Sequence, residues 1–217
     1  MADAPLQRNV VEELLWDPKV DSESIAVSAD DHGKVTLRGT VASLRQKREA
    51  KNAAERVFGV THVTDDLEVR LLTEHRRGDA ELRGDVLQAL MLDALVPTTI
   101  DASVENGLVT LTGTADRQYQ REEAEFVAGN VRGVTGVEND VYLTFPTPSA
   151  HDIEHSIKKA LVRNAKLDAD NLNVTISDGT VTLSGTVRSW SEHDAAVAVA
   201  WTAPGIKAVH DHLTISY

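Results

Sequence analysis

The segment VTLRGTV at residues 35–41 returns as VTLTGTA at 109–115 and as VTLSGTV at 181–187. No other feature constrains the fold as strongly. The motif glycines Gly39, Gly113 and Gly185 stand 74 and 72 residues apart. A second glycine follows each of them by 20 residues: Gly59, Gly133 and Gly205, opening GVTHVTDDLEV, GVTGVENDVYL and GIKAVHDHLTI. One interval kept three times without a gap makes the chain three copies of one unit, over residues 8–72, 82–145 and 151–217. Units this small bury only about 60% of their unfolded surface, so the copies are expected to pack on one another.

Within VTLRGTV, Val35, Leu37 and Gly39 fall on one face and Thr36, Arg38 and Thr40 on the other, the period of a half-buried strand. The turn signals DHG, ENG and SDG precede the three motifs and supply the positive φ angles of a tight hairpin. The strand before each turn alternates as well. Ile25, Val27 and Ala29 sit one residue further back than their counterparts, which puts one extra residue in the first turn. Ser43 and Ser189 read as helix N-caps with Gln46 and Glu192 as capping-box partners, and Asp116 as the cap of the second copy. Alanines at 50, 124, 196 and at 54, 128, 200 share one helix face and let it lie close to the sheet. The second glycine reads as the C-cap of this helix. A last strand follows, and an amphipathic helix precedes each hairpin, clearest in Leu82, Val86, Leu87, Leu90 and Met91. The chain therefore reads as α+β: three tandem αββαβ units, each a three-stranded sheet with two helices on one face. The motif glycine reads as a place where backbone approaches closely or the strand bulges.

VTLxGTV, a helix, then GVxxVxNxL resembles the BON domain, named for bacterial osmotically induced and nodulation proteins, over nearly the whole chain. The second copy matches best; Asp65 and Asp211 replace the asparagine that the second copy has at Asn139. The resemblance implies the αββαβ fold and a non-catalytic protein of envelope or stress function. The roles it implies are phospholipid binding, chaperoning of periplasmic clients and potassium sensing. Many members are exported, often with two copies; this chain has three.

The residues themselves point away from an enzyme. There is no GxSxG, phosphate-binding glycine loop or HExxH, and the copies share glycines and apolar residues but no histidine. No cofactor is expected, and without cysteine neither disulfides nor thiolate metal sites form. The opening residues lack a basic segment followed by an apolar core, so a cytoplasmic location is expected. No apolar run reaches the ~18 residues of a membrane span. The net charge is −12, and residues 79–145 carry 12 acidic against 4 basic residues. Such a surface repels nucleic acid, whose binding depends on neutralising phosphates, and opposes adsorption to anionic lipid.

Three groups of residues remain as candidates for contact. Arg45, Lys47, Arg48, Lys51 and Arg56 form a basic helix run suited to headgroups or an acidic partner, or simply a solvated face. His151 and His155, with His210 and His212, are candidate zinc or nickel ligands, or solvated surface histidines. Trp190, Val197 and Trp201 form an apolar helical stripe where the other copies have Leu44, Lys51, Glu55 and Gln118, Glu125, Gly129. The expected function is therefore a stress-related binding protein whose partner is a protein client or a membrane surface. The alternative is a soluble potassium sensor, which a higher melting temperature in potassium than in sodium chloride would support.

Because two copies manage without it, the stripe is expected to pack on a neighbouring copy or to meet an external partner or membrane. Packing predicts that Trp190→Ala with Trp201→Ala lowers stability steeply, by about 3–5 kcal/mol for each fully buried ring. An outward stripe predicts a loss within ~0.5 kcal/mol. A thermal melt of the double variant decides.

Overall fold

The computed structural model describes residues 4–71, 77–144, 150–164, 167, 171–203 and 205–216. In the first repeat, α1 (Ala4–Trp16) is followed by β1 (Ile25–Ala29), β2 (Lys34–Val41), α2 (Leu44–Glu55) and β3 (His62–Val69). The second repeat runs α3 (Asp79–Leu92), β4 (Ile100–Glu105), β5 (Leu108–Ala115), α4 (Gln118–Gly129) and β6 (Gly136–Leu143). The third runs α5 (Ala150–Arg163), β7 (Leu172–Ser177), β8 (Thr180–Val187), α6 (Trp190–Thr202) and β9 (Ala208–Ile215). Each repeat has its own three-stranded sheet, ordered β1-β2-β3, β4-β5-β6 and β7-β8-β9. The first two strands pair antiparallel and the second and third pair parallel. A parallel pair needs a crossover connection, and α2, α4 and α6 provide it. Residues 1–144, holding the first two repeats, form one compact unit, and residues 145–217 form another.

The hairpins form as their turns predict. Asn106 and Gly107 sit at φ 51° and 81°, and Asp178 and Gly179 repeat these angles, as a two-residue turn with both centres left-handed requires. The first repeat spends its extra residue on Asp30, whose side chain accepts from the N–H groups of His32 and Lys34 at 2.9 Å each. Two Arg-Gly-Asp triplets lie at 77–79 and 83–85, a sequence that adhesion proteins also use. Here Asp79 opens α3 and its carboxylate accepts from the N–H groups of Asn106 and Gly107, while the second triplet is helix interior.

Each core lies between one sheet face and two helices. Val35 and Leu37 are fully buried in β2, as are Val109 in β5 and Val181 in β8. Ala50, Ala54, Ala124, Ala128, Ala196 and Ala200 have no exposed surface, so small side chains do set the helix against the sheet. The first helix contributes Leu6, Val10 and Leu14, then Leu82, Val86 and Leu90, then Ile153, Ile157 and Leu161. Met91, read as part of the buried stripe, instead faces solvent at 77% exposure, one position past the last core leucine.

At the helix starts, Ser43 and Ser189 accept from the N–H of Gln46 and Glu192, and those side chains return to Ala42 and Arg188. In the second repeat the cap position is Arg117 and not Asp116, and Gln120 Oε1 accepts from both N–H groups. The glycine Gly59 is not a C-cap, since α2 ends at the cap Arg56; Asn130 and Ala203 are the caps of α4 and α6. Gly59, Gly133 and Gly205 come later, where the chain turns into the last strand. Their carbonyl oxygens lie 2.2, 3.1 and 3.0 Å from where a Cβ would stand on the hairpin glycines Gly33, Gly107 and Gly179. One hydrogen bond closes this contact in every repeat, from Thr61, Thr135 or Lys207 N–H to the hairpin glycine carbonyl at 2.8–2.9 Å.

The motif glycine has a sharper cause. Gly39, Gly113 and Gly185 adopt φ of 133°, 115° and 132°, and a Cβ on them would stand 1.9, 2.1 and 2.0 Å from the carbonyl oxygens of Ser24, Thr99 and Asn171. The residue entering the first strand is folded over the middle strand, and only hydrogen fits beneath it. Gly113→Ala combines a sparsely allowed φ with a backbone clash, and its cost is expected to reach about 3 kcal/mol. Urea unfolding should show the loss; an unchanged midpoint would contradict this account of the glycine.

Candidate functional site

Outside the core, one polar arrangement recurs in all three repeats. Lys47, Arg121 and His193 each stand eight residues after the motif glycine, on the helix that crosses over the sheet. Asp65, Asn139 and Asp211 stand 26 residues after it, on the last strand. Lys47 Nζ donates to the Leu67 carbonyl at 2.5 Å and lies 3.7 Å from the Asp65 carboxylate. Arg121 donates to the Asn139 carbonyl at 2.8 Å, while Asn139 Nδ2 donates back to the Arg121 carbonyl at 2.9 Å and to Glu125 at 3.1 Å. His193 Nε2 meets the Asp211 carboxylate at 2.6 Å and Nδ1 meets Asp194 at 3.1 Å. The strand residue also accepts from the N–H two positions on, at 3.0, 3.4 and 2.9 Å in turn. A side chain from the helix is thereby tied to the last strand in every repeat. The strand member of this tie was legible from the sequence motif; its helical partner was missed, although a cationic or imidazole side chain eight residues after each glycine was there to be read.

The basic helix run is largely consumed inside the chain. Lys51 pairs with Glu55 at 3.6 Å, and Arg56 bonds Glu13 at 3.1 Å and Asp17 at 2.8 Å, joining the end of α2 to α1. The Lys19 N–H and the Arg56 guanidinium hold the Asp17 carboxyl below its ordinary pKa. Arg48 lies over the Phe126 ring, 4.8 Å from its centroid, and donates to Asn130 Oδ1 at 2.7 Å. Beside it Leu44 packs into the second core, and its Cδ2 is 3.2 Å from where a Gly129 Cβ would stand. Leu44, Arg48, Phe126, Gly129 and Asn130 thus join the first and second repeats, α2 against α4. Arg45 is left exposed.

In the third repeat, Trp190 meets the His193 ring edge-on at 5.0 Å, and its buried Nε1 has no hydrogen-bond partner among the described residues. Val197 and Trp201 are half-buried against the core of their own repeat. Val197 and Trp201 therefore belong to their own unit's packing, although the other two repeats fold with Lys51 and Glu55, or Glu125 and Gly129, at those positions. His210 and His212 are exposed on β9, on the sheet face away from α6. His155 is exposed, and the side chain of His151 lies outside the described residues. Among the described residues no three His, Asp or Glu side chains converge as a metal site would require.

Large apolar side chains also recur on the surface. Leu15, Met91 and Val162 each follow the last core residue of the first helix and are 68%, 77% and 73% exposed. Trp16 and Leu92 beside them are 85% and 77% exposed, and Phe58 adds 77% to the first repeat. Among the described residues no helix is long and apolar enough to cross a membrane.

The BON domain family matches residues 2–70, 78–143 and 149–217, nearly the whole chain. The chain belongs to the BON family. One relative, the osmotically-inducible protein Y of Escherichia coli (strain K12), is 35% identical over 146 residues, covering 65% of this chain and 72% of its own. Another, an uncharacterized protein in the gshII 5′ region of Anaplasma centrale, is 25% identical over 126 residues, 55% of this chain and 83% of its own. Among solved structures, the C-terminal domain of CdsD, the structural protein of the type III secretion system of Chlamydia trachomatis, aligns over both full chains at 15% identity and a TM-score of 0.28.

In the second BON unit, Asn139 engages α4 and its own strand β6 at once. Asn139→Ala removes both donors and an acceptor and leaves their partners unmatched, at an expected cost of about 1–3 kcal/mol. Urea unfolding of the full chain checks it, and a change under ~0.3 kcal/mol would mean the tie carries no stability.

Proposed function

We propose that this chain is a non-catalytic interaction protein of the osmotic stress response, whose BON units present exposed apolar helix ends to a protein client. The observation that carries the reading is the recurrence of one exposed apolar position, Leu15, Met91 and Val162, at the same place in three units. A single exposed leucine is ordinary. Equivalent ones in three units, two of them extended by Trp16 and Leu92, offer several separate points of contact to one chain. Linked weak contacts of this kind add by effective concentration, so each unit needs little affinity of its own. The similarity to the osmotically-inducible protein Y supports the stress assignment. The charge of −12 favours a protein client over anionic headgroups, because the long-range field opposes approach to an anionic bilayer.

The contact is tested by Leu15→Ser, Met91→Ser and Val162→Ser combined in one chain. Surface changes of this kind leave stability within ~0.5 kcal/mol per site. The wild type is expected to suppress aggregation of a heat-denatured enzyme, and the triple variant to lose most of that effect while keeping its melting temperature. Flotation with vesicles of phosphatidylcholine, with and without phosphatidylglycerol, is run beside it. Suppression that survives in the triple variant would overturn the assignment of the helix ends, and flotation without suppression would replace the protein client by a lipid surface.

A further inference from the structure

The ties of the three BON units differ in one chemical respect. Lysine and arginine keep their charge throughout the physiological range, whereas an unperturbed histidine loses its proton near pH ~6.5. His193 stands where Lys47 and Arg121 stand, and both its ring nitrogens face carboxylate oxygens, at 2.6 and 3.1 Å. An ionised carboxylate only accepts, so both contacts are hydrogen bonds only when both nitrogens carry protons, that is, as imidazolium. The neutral ring has one N–H and must turn a lone pair toward one of the two carboxylates.

We propose that the α6–β9 tie of the third BON unit is a pH-responsive latch, closed while the His193 imidazolium bridges Asp194 and Asp211 and loosened as the ring loses its proton. The surroundings bear this out on every side. On α6, Asp194 is the charged neighbour, while Glu192 is turned away to cap the Arg188 N–H at 2.6 Å. On β9, Asp211 faces the ring, and His210 and His212 occupy the opposite sheet face. From β8 the residues toward the helices are Val181, Leu183 and Gly185, and α5 contributes its apolar row Ile153, Ile157 and Leu161. His193 is the fourth residue of α6, where the helix dipole disfavours a cation. Its ring is only 15% exposed, and burial opposes charging as well. The Asp194 hydrogen bond, then the charge and hydrogen bond of Asp211, outweigh these and raise the histidine's pKa above its ordinary value.

The sign follows from linkage. With the folded pKa raised, the latch's contribution is complete below the unfolded value of about 6.5 and is lost as pH rises through the folded value. Because a single proton is involved, the opening constant of this tie rises by up to tenfold per pH unit across that window. The first and second BON units carry Lys47 and Arg121 at this position instead of a histidine. The edge contact with Trp190 couples the ring to the tryptophan stripe, so release also frees that side chain.

The test uses the full chain. Histidine ring proton signals are followed by NMR from pH 5 to 9.5, with His193→Gln identifying the residue. Amide exchange of β9 is then compared with β3 and β6, which serve as internal references for the chemical effect of pH. His193 is expected to titrate above ~6.5, and β9 is expected to lose protection relative to β3 and β6 over the same range. His193→Lys should hold β9 at its low-pH protection throughout. His193→Gln should show the weakened level at every pH. Asp211→Asn, which keeps the shape of the strand, should bring the His193 titration down. Titration of His193 at or below its ordinary value would overturn the latch. So would relative β9 protection that stays constant with pH, or a pH dependence that survives in His193→Gln.

Discussion

A backbone carbonyl lies against the middle strand of every sheet at a distance no side chain tolerates. Ser24, Thr99 and Asn171 each place their oxygen about where a Cβ of the motif glycine would stand. This contact sets where the first strand enters, and with it the register that pairs Ile25, Ile100 and Leu172 opposite the three glycines. Register in turn decides which side chains face the helices, because a slip of one residue sends the whole apolar set to the open face. The second glycine pair works at the other end of the sheet, holding the hairpin against the turn into the last strand. Each small unit is thus closed at both ends by backbone-to-backbone contacts, which leaves its side chains free to differ.

They do differ, and the differences carry the individuality of the units. The helix-to-strand tie uses a lysine, an arginine and a histidine on one geometry. The helix face holding Leu44 and Arg48 joins the first repeat to the second, while the third repeat has Trp190 and Asp194 at those positions. The end of the first helix is the surface feature that all three keep apolar and exposed. A repeat architecture allows this, because each unit keeps its own core and the contacts between neighbours add to it.

The architecture was largely legible because the signals that specify it are local. Alternation, turn residues, capping serines and the paired alanines all act within one unit, and three aligned copies separate them from accident. The signals that misled were local as well. Asp116 has the right chemistry for a cap but stands one residue before the position that the glycine interval dictates, where Arg117 lies. Gly59 follows the helix closely enough to suggest its end, but its positive φ serves the contact with Gly33. Met91 fits the helical period yet falls just beyond the edge of the sheet-facing stripe.

From the sequence by itself come the three units, the αββαβ order, the hairpin turns and the acidic balance of the chain, since each depends on residue type and short spacing. Only the tertiary structure decided what the charged and aromatic side chains do. Arg48 ends on Asn130, 82 residues away, so no reading of its own helix reveals that it joins two repeats. Lys47 and His193 look like part of a solvated face until the last strand brings Asp65 and Asp211 beside them. Trp201 and Val197 look dispensable to the unit until they are seen against its core. In each case the partner is distant along the chain, and ion pairing and packing depend on distance in space, which only the folded chain sets.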